Sequence, residues 1–323
     1  MRLEMDAAIQ DVLSRGDLIL RGDLERFEQS FAKYVGKKHC IGLNSGTDAL
    51  YLSLWALGIG RGDEVITSSH TFVASAQVIA QLGAKPVLVD VQDDLLIHVD
   101  EIIDAITDKT RAIIPVHLTG DVAKMNFPTE LKIVEDAAQA VGAKGVGYGI
   151  TQCYSFYPAK ILGAYGDAGA ITTDDDNLAE ELRNLRHHYK KDYSKWGINS
   201  RLDNMQAAIL NVKMKHLDEA QIKRRLIADQ YFYAFNENIP LGLPEYSNGR
   251  VWQDYIVRTE KRDALYEHLK SCGVETMKNE YPMPIPKLPN SIKIENETLR
   301  LPCNENLSAS EIRHVIESVK SFF

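Results

Sequence analysis

The chain has 323 residues, which suits one large domain with a smaller one beside it. Hydrophobic residues make up 45% and charged residues 25%, an ordinary globular balance, and a formal charge of −8 argues against non-specific nucleic-acid binding. No apolar run approaches the roughly 20 residues that cross a bilayer, the opening MRLEMDAAIQ lacks a signal-peptide core, and the scattered Cys40, Cys153, Cys272 and Cys303 point to reduced cytoplasmic thiols rather than to disulfides or a zinc site.

In chain order, short β-rich runs predict strands at 40–43, 64–67, 86–91, 112–117, 132–137, 153–157 and 169–173. Most are continuous rather than alternating, as strands buried on both faces are. Helical patterns lie between several of them, at 47–57, 71–82 and 99–106. Strands alternating with helices predict a three-layer α/β domain with a mostly parallel sheet. From Leu202 a long helical stretch, with a bend, carries the chain out of that domain. Beyond it, 251–257 reads as a strand, 264–273 as a helix ended by Gly273, 281–290 as irregular because it is dense in proline, and ASEIRHVIESVKSFF as a closing helix. The boundary falls near residue 218, giving a large domain over 1–218 and a small C-terminal α+β domain over 219–323.

Three motifs carry chemistry. In NSGTDAL (44–50) a strand gives way to a helix. Gly46 permits the tight turn, and the amides of Gly46, Thr47 and Asp48 are read as free to hold a phosphate. The same residues also read as a plain helix cap. In IVEDAAQA (133–140) a buried strand ends in Glu135 and Asp136, at the edge where open α/β sheets bind ligands. A cap is the competing reading. In CYSFYPAKILGAYGDAGAI (153–171) a strand delivers Ser155, Pro158 breaks it, and Lys160 follows in a loop of small residues. Such a lysine forms an imine where its surroundings favour the neutral amine, and is otherwise an ordinary surface charge. Together the motifs supply a phosphate cup, a carboxylate and an amine, the set that pyridoxal 5'-phosphate (PLP) requires.

At this point the sequence resembles the DegT-type nucleotide-sugar aminotransferases, a PLP-dependent family with the aspartate-aminotransferase fold. The matching stretches are NSGTDAL, GDEVITSSHTFVASA, GAKPVLVDV, AIIPVHLTG, VEDAAQAVGA, SFYPAKILGAYGDAGAITT and INSRLDNMQAAIL, across most of residues 20–215. The resemblance implies that Lys160 is the Schiff-base lysine and that Asp136 pairs with the pyridinium nitrogen. It places Gln139 near the phenolic oxygen, Phe72 on the ring, Thr47, Asp48 and Ser155 at the phosphate, and Asn199 at the phosphate of a neighbouring subunit. A homodimer with shared active sites follows; a cap of the helix near Leu202 is the alternative for Asn199. His117 faces the substrate or is a satisfied structural histidine. The implied reaction moves an amine from glutamate to a nucleotide-linked keto-sugar, at C3 more than C4, in amino-sugar biosynthesis. The rivals are a PLP-dependent sugar dehydratase and a non-catalytic regulatory homologue. Three departures bear on the sugar rather than the cofactor. The stretch before the first motif is short, only NFPTE (126–130) separates two motifs, and the segment after ETMKNEYPMP is compressed.

Overall fold

The apolar runs pair into one seven-stranded sheet. A computed structural model describes residues 1–125, 130–236, 239–247 and 249–323. The elements run α1 (Arg2–Arg15), α2 (Gly22–Tyr34), β1 (His39–Leu43), α3 (Gly46–Ala56), β2 (Glu64–Ser68), α4 (Ala74–Gln81), β3 (Lys85–Val89), α5 (Val99–Ala105), β4 (Thr110–Ile114), β5 (Lys132–Asp136), β6 (Thr151–Ser155), β7 (Gly169–Thr173), α6 (Asp176–Leu185), α7 (Asn204–Met214), α8 (Leu217–Phe235), β8 (Tyr255–Arg258), α9 (Arg262–Ser271), β9 (Met277–Lys278), α10 (Pro289–Glu297), β10 (Thr298–Leu301) and α11 (Ala309–Lys320). The large sheet has the order β1-β7-β6-β5-β4-β2-β3. Strand β7 runs against both its neighbours, and the other pairings are parallel.

Helices cover both faces of this sheet, so its strands carry apolar residues on both sides. On one face α3, α4 and α6 bury Leu50, Leu54, Val78 and Leu182 against Ile41, Val65 and Ile114. On the other, α2 and α7 bury Phe27, Phe31 and Leu210 against Cys40, Tyr154 and Phe156. Edge-to-face rings seal that layer, with Phe31 and Tyr154 4.9 Å apart and Phe27 and Phe156 5.2 Å apart.

The helical stretch after Leu202 breaks at Lys215 and His216, without proline or glycine. Helix α7 then serves the large sheet, while α8 turns its Tyr231 and Phe235 to a second core. That core fills the space between an antiparallel sheet, β8-β10-β9, and helices α8, α9 and α11. A further cluster joins Ile256, Tyr281 and Ile294 to Ile66, Val89 and Ile113 of the large sheet. Asp90, just past β3, pins the start of α10 by accepting from the amides of Asn290 and Ser291, both at 2.8 Å.

Some local expectations change. The strand expected over 251–257 is confined to Tyr255–Arg258, because residues 251–254 are drawn instead towards Gly120 and the loop of Lys160. Helix α4 starts at Ala74 rather than Thr71. Glycine ends α9 as expected, Gly273 taking φ +76°. Of the short NFPTE connection, residues 126–129 lie outside the described residues. All four cysteines are free, and no helix among the described residues is long and apolar enough to cross a membrane.

Candidate active site

The carboxyl ends of β1, β2, β4, β5 and β6 share one edge of the large sheet, and that edge gathers the residues the motifs singled out. Because β7 is antiparallel, its first residue, Gly169, reaches the same edge, in register with Leu43 and Ser155. There the chain is crowded. A Cβ on Gly46 would lie 2.8 Å from Ser155 Cβ, and one on Gly169 would lie 2.3 Å from the Ser45 carbonyl carbon. Only glycine lets the start of α3 settle against β6 and β7.

The tip of α3 differs from the expectation in one respect. Ser45 caps the helix, its Oγ accepting from the Asp48 amide at 3.0 Å, so that amide is not free for a ligand. Gly46 and Thr47 keep the outermost donors of the helix. The Asp48 carboxylate accepts from Ser200 Oγ at 2.6 Å, and Ser200 Oγ in turn accepts from the Asn44 amide at 3.2 Å. This ties the loop that carries Asn199 to the α3 start. Asn199 itself is exposed, and α7 is capped by Asp203, whose Oδ1 accepts from the Gln206 amide at 2.8 Å, so Asn199 is not that cap.

Glu135 and Asp136, adjacent on β5, face opposite ways and do different things. Glu135 is fully buried and accepts from the amides of Gly147 and Gly149, from Gln152 and from His117. Burial opposes its charge, but these partners hold it below the usual carboxylate range. His117, also fully buried, spends its Nδ1 on the Ala123 amide at 3.1 Å and its Nε2 on Glu135 at 2.9 Å, so it is a satisfied structural histidine. Asp136 faces the site. Ser75 Oγ donates to it at 2.8 Å and the Ala138 amide at 3.2 Å. Burial pushes Asp136 above its ordinary value, against the pull of Ser75, the Ala138 amide, Lys160 and His117. The carboxylate therefore favours a further positive partner.

Lys160 lies within electrostatic reach of Asp136 at this edge. The loop of Lys160 is a tight turn, closed by the amides of Lys160 to Tyr157 O and of Ala164 to Phe156 O, both at 2.8 Å. Burial lowers the amine below its ordinary value, partly offset by Asp254 and Asp136 and reinforced by Arg300. An amine shifted towards neutrality beside an acid is equipped for nucleophilic attack and proton transfer. Phe72 is 60% exposed, three residues before the Ser75 that touches Asp136. Gln139 accepts from the Thr119 amide at 2.7 Å, and its side chain also bonds Tyr281.

A polar network from the C-terminal third completes the surroundings. Arg300 donates to Tyr281 Oη at 2.6 Å and to Asn279 Oδ1 at 2.9 Å, and lies 3.5 Å from Asp254. Asn279 donates to His70 Nε2 at 3.0 Å. Sequence reasoning missed this network, Ser75 and Ser200. Ser75 lay inside a quoted stretch, SSHTFVASA, and its helical spacing from Phe72 was the available signal. Arg300, Asn279 and Asp254 carry no local pattern, because tertiary folding alone brings them to Lys160.

Comparison with known proteins places this arrangement. Residues 1–320 match the model of the DegT/DnrJ/EryC1/StrS aminotransferase family. The chain is 40% identical to a dTDP-3-amino-3,4,6-trideoxy-alpha-D-glucose transaminase of Streptomyces venezuelae, covering 100% of this chain and 93% of that protein. It is 39% identical to a protein of Geobacillus stearothermophilus called a pleiotropic regulatory protein, over 100% of this chain and 95% of the other. Among solved structures, S. venezuelae DesV in complex with a ketimine intermediate superposes with a TM-score of 0.94 at 40% identity, over 99% of this chain and 94% of that one.

Proposed function

From the premise that this chain belongs to the DegT/DnrJ/EryC1/StrS aminotransferase family, we propose that it is a PLP-dependent aminotransferase that moves an amino group from glutamate to a nucleotide-linked keto-sugar. The observation that carries this reading is the placement of the Lys160 turn and of Asp136, at the end of β5, on the carboxyl edge of the sheet, beside the glycine-lined start of α3. The residues fit the cofactor. A phosphate suits the Gly46 and Thr47 amides and Ser155, a pyridinium nitrogen suits the Asp136 carboxylate, and an aldehyde suits the Lys160 amine. Phe72 offers an exposed ring for stacking, and Gln139 an amide for the phenolic oxygen. When bound, PLP supplies an aldehyde that condenses with amines and a ring that withdraws electrons.

The chain's own residues do the rest. Asp136, held in place by Ser75 and the Ala138 amide, would keep a proton on the ring nitrogen. Lys160 would hold the cofactor through its amine, and the same amine would move the proton at the donor's α-carbon, an exchange that its lowered affinity for protons suits. The relative named for a 3-amino sugar supports C3 over C4 as the carbon aminated. We place the enzyme in the cytoplasm, where four free thiols persist, and in amino-sugar biosynthesis.

The working unit of this reading is a homodimer in which Asn199 reaches the partner's cofactor phosphate. Its support is the exposed setting of Asn199, beside Tyr193 and Trp196, which are 71% and 88% exposed. Large exposed rings of this kind suit a subunit interface. The alternative, a regulatory homologue without catalysis, is favoured by the name of the Geobacillus relative. Mass spectrometry decides the question. The chain is loaded with PLP and incubated with glutamate and a panel of nucleotide-linked 3-keto and 4-keto sugars. We expect an aminated product from a 3-keto sugar. No product from any of them, with no bleaching of the visible band by glutamate, would reject the enzyme reading.

A further inference from the structure

On the reading that Lys160 carries the cofactor, we infer that Gln253 is a positioning residue for it, setting the aim of the lysine from the C-terminal part of the chain. The side chain of Gln253 brackets Lys160. Its Oε1 accepts from the Ile161 amide at 3.0 Å, and its Nε2 donates to the Ala159 carbonyl at 3.1 Å. Both halves of the side-chain amide are used, one on each neighbour of the lysine, so the backbone that bears Lys160 is held on both sides by one planar group.

The bracket is itself anchored. Arg224 of α8 donates through one nitrogen to the carbonyls of Trp252 at 3.1 Å, Gln253 at 3.2 Å and Cys303 at 2.9 Å. Its Nε meets Glu305 at 2.7 Å. Val251 donates to the carbonyl of Gly120 at 3.0 Å. Gly120 sits at φ +92°, where a Cβ would lie 2.0 Å from the Val251 carbonyl oxygen. Residues 251–254 are thus held by their backbone, and Gln253 is free to spend its side chain on the lysine loop. The next residue, Asp254, raises the proton affinity of the Lys160 amine, and its neighbour Arg300 lowers it.

The loop needs such a support. Ile161 and Leu162 pack into the core after Lys160, but Pro158 and Ala159 before it carry little side chain to pack, and lysine has a flexible stem. Small errors in the placement of a reacting group lower rates steeply. A purely structural Gln253 would affect stability alone, because its loss leaves two backbone groups unsatisfied. A positioning Gln253 also affects the amine.

Two variants separate these roles. Gln253→Met keeps the volume and loses both hydrogen bonds. Gln253→Glu keeps the acceptor for Ile161 and loses the donor to Ala159. Wild type and variants are loaded with PLP. The visible band of the lysine-bound cofactor is titrated against pH, borohydride reduction is mapped to Lys160, and bleaching by glutamate is followed over a range of concentrations. For Gln253→Met we expect a displaced titration midpoint and a limiting rate of bleaching lower by about tenfold to a hundredfold, with the half-saturating glutamate concentration nearly unchanged. Gln253→Glu should fall between it and wild type, and it carries the test if Gln253→Met does not fold. Wild-type midpoints and limiting rates in the folded variants, whatever their melting temperatures, would overturn the inference. A wild type with no visible band and no reduction at Lys160 would instead overturn the cofactor assignment on which it rests.

Discussion

At the scale of residues, Lys160 and Asp136 are held away from their ordinary titration in opposite senses by burial, the amine down and the acid up. Each tends towards neutrality, and the shift is offset mainly by Asp254 for the amine and by Ser75 for the acid, with a smaller contribution from one to the other. Lys160→Ala should therefore abolish the visible band and transamination without unfolding the chain, since a loop lysine contributes little packing; absorbance and circular dichroism check both halves. Asp136→Asn preserves the contact with Ser75 but cannot hold a proton on the ring nitrogen. We expect PLP still to bind, with turnover lower by about a hundredfold or more, as measured by steady-state kinetics against binding by absorbance. His70 makes a separate prediction. Burial, helped by Lys287 and Arg300, lowers it to about 3. A histidine kept neutral in the fold contributes stability above its unfolded value near 6.5, and that stability is lost as pH falls towards 3. The loss by pH 5 is about 2 kcal/mol. Thermal melts between pH 7 and pH 5 should show the decline, and His70→Gln should flatten it.

Elements explain which parts were legible. The strands of the large sheet read clearly because burial on both faces makes each a continuous apolar run, and the motifs sit at their carboxyl ends. Helix α1 was not read as a helix, although Met5, Ala8, Ile9 and Val12 recur at helical spacing, because only Met5 and Val12 are buried and the stripe is weak. Helix α2 was not read either, although it carries a stripe, Leu24, Phe27 and Phe31, whose helical spacing was the available signal. Strands β9 and β10 have two and four residues, too short for a pattern, and their side chains bring the Arg300 network to the site. The start of α3 was legible in outline, but the competition of Ser45 for the Asp48 amide was not, because a cap and a phosphate cup use the same residues. This element also yields a test. Gly46→Ala forces a methyl to within 2.8 Å of Ser155 Cβ. The α3 tip must withdraw, and the apparent dissociation constant for PLP should rise about tenfold, the equivalent of about 1.4 kcal/mol, in an absorbance titration.

For the whole molecule, the proposed sharing of sites is the property to test. Lys160→Ala and Asn199→Trp should each be inactive alone. Mixed under subunit exchange, some hybrids would hold one site with both native residues, so part of the activity should return. Exchange proven by mass spectrometry with no recovery, or full activity in a monomer by sedimentation, would exclude shared sites.

The order in which the parts meet also matters during synthesis. Strand β1 finds its only sheet neighbour among the described residues in β7, so the sheet stays open until the ribosome has released residue 173. The Lys160 loop waits longer, for Gln253 to leave the exit tunnel and for Arg224 to steady it. On the proposed role of Lys160, cofactor capture is expected only after residue 253 has emerged and the Gln253 bracket can form.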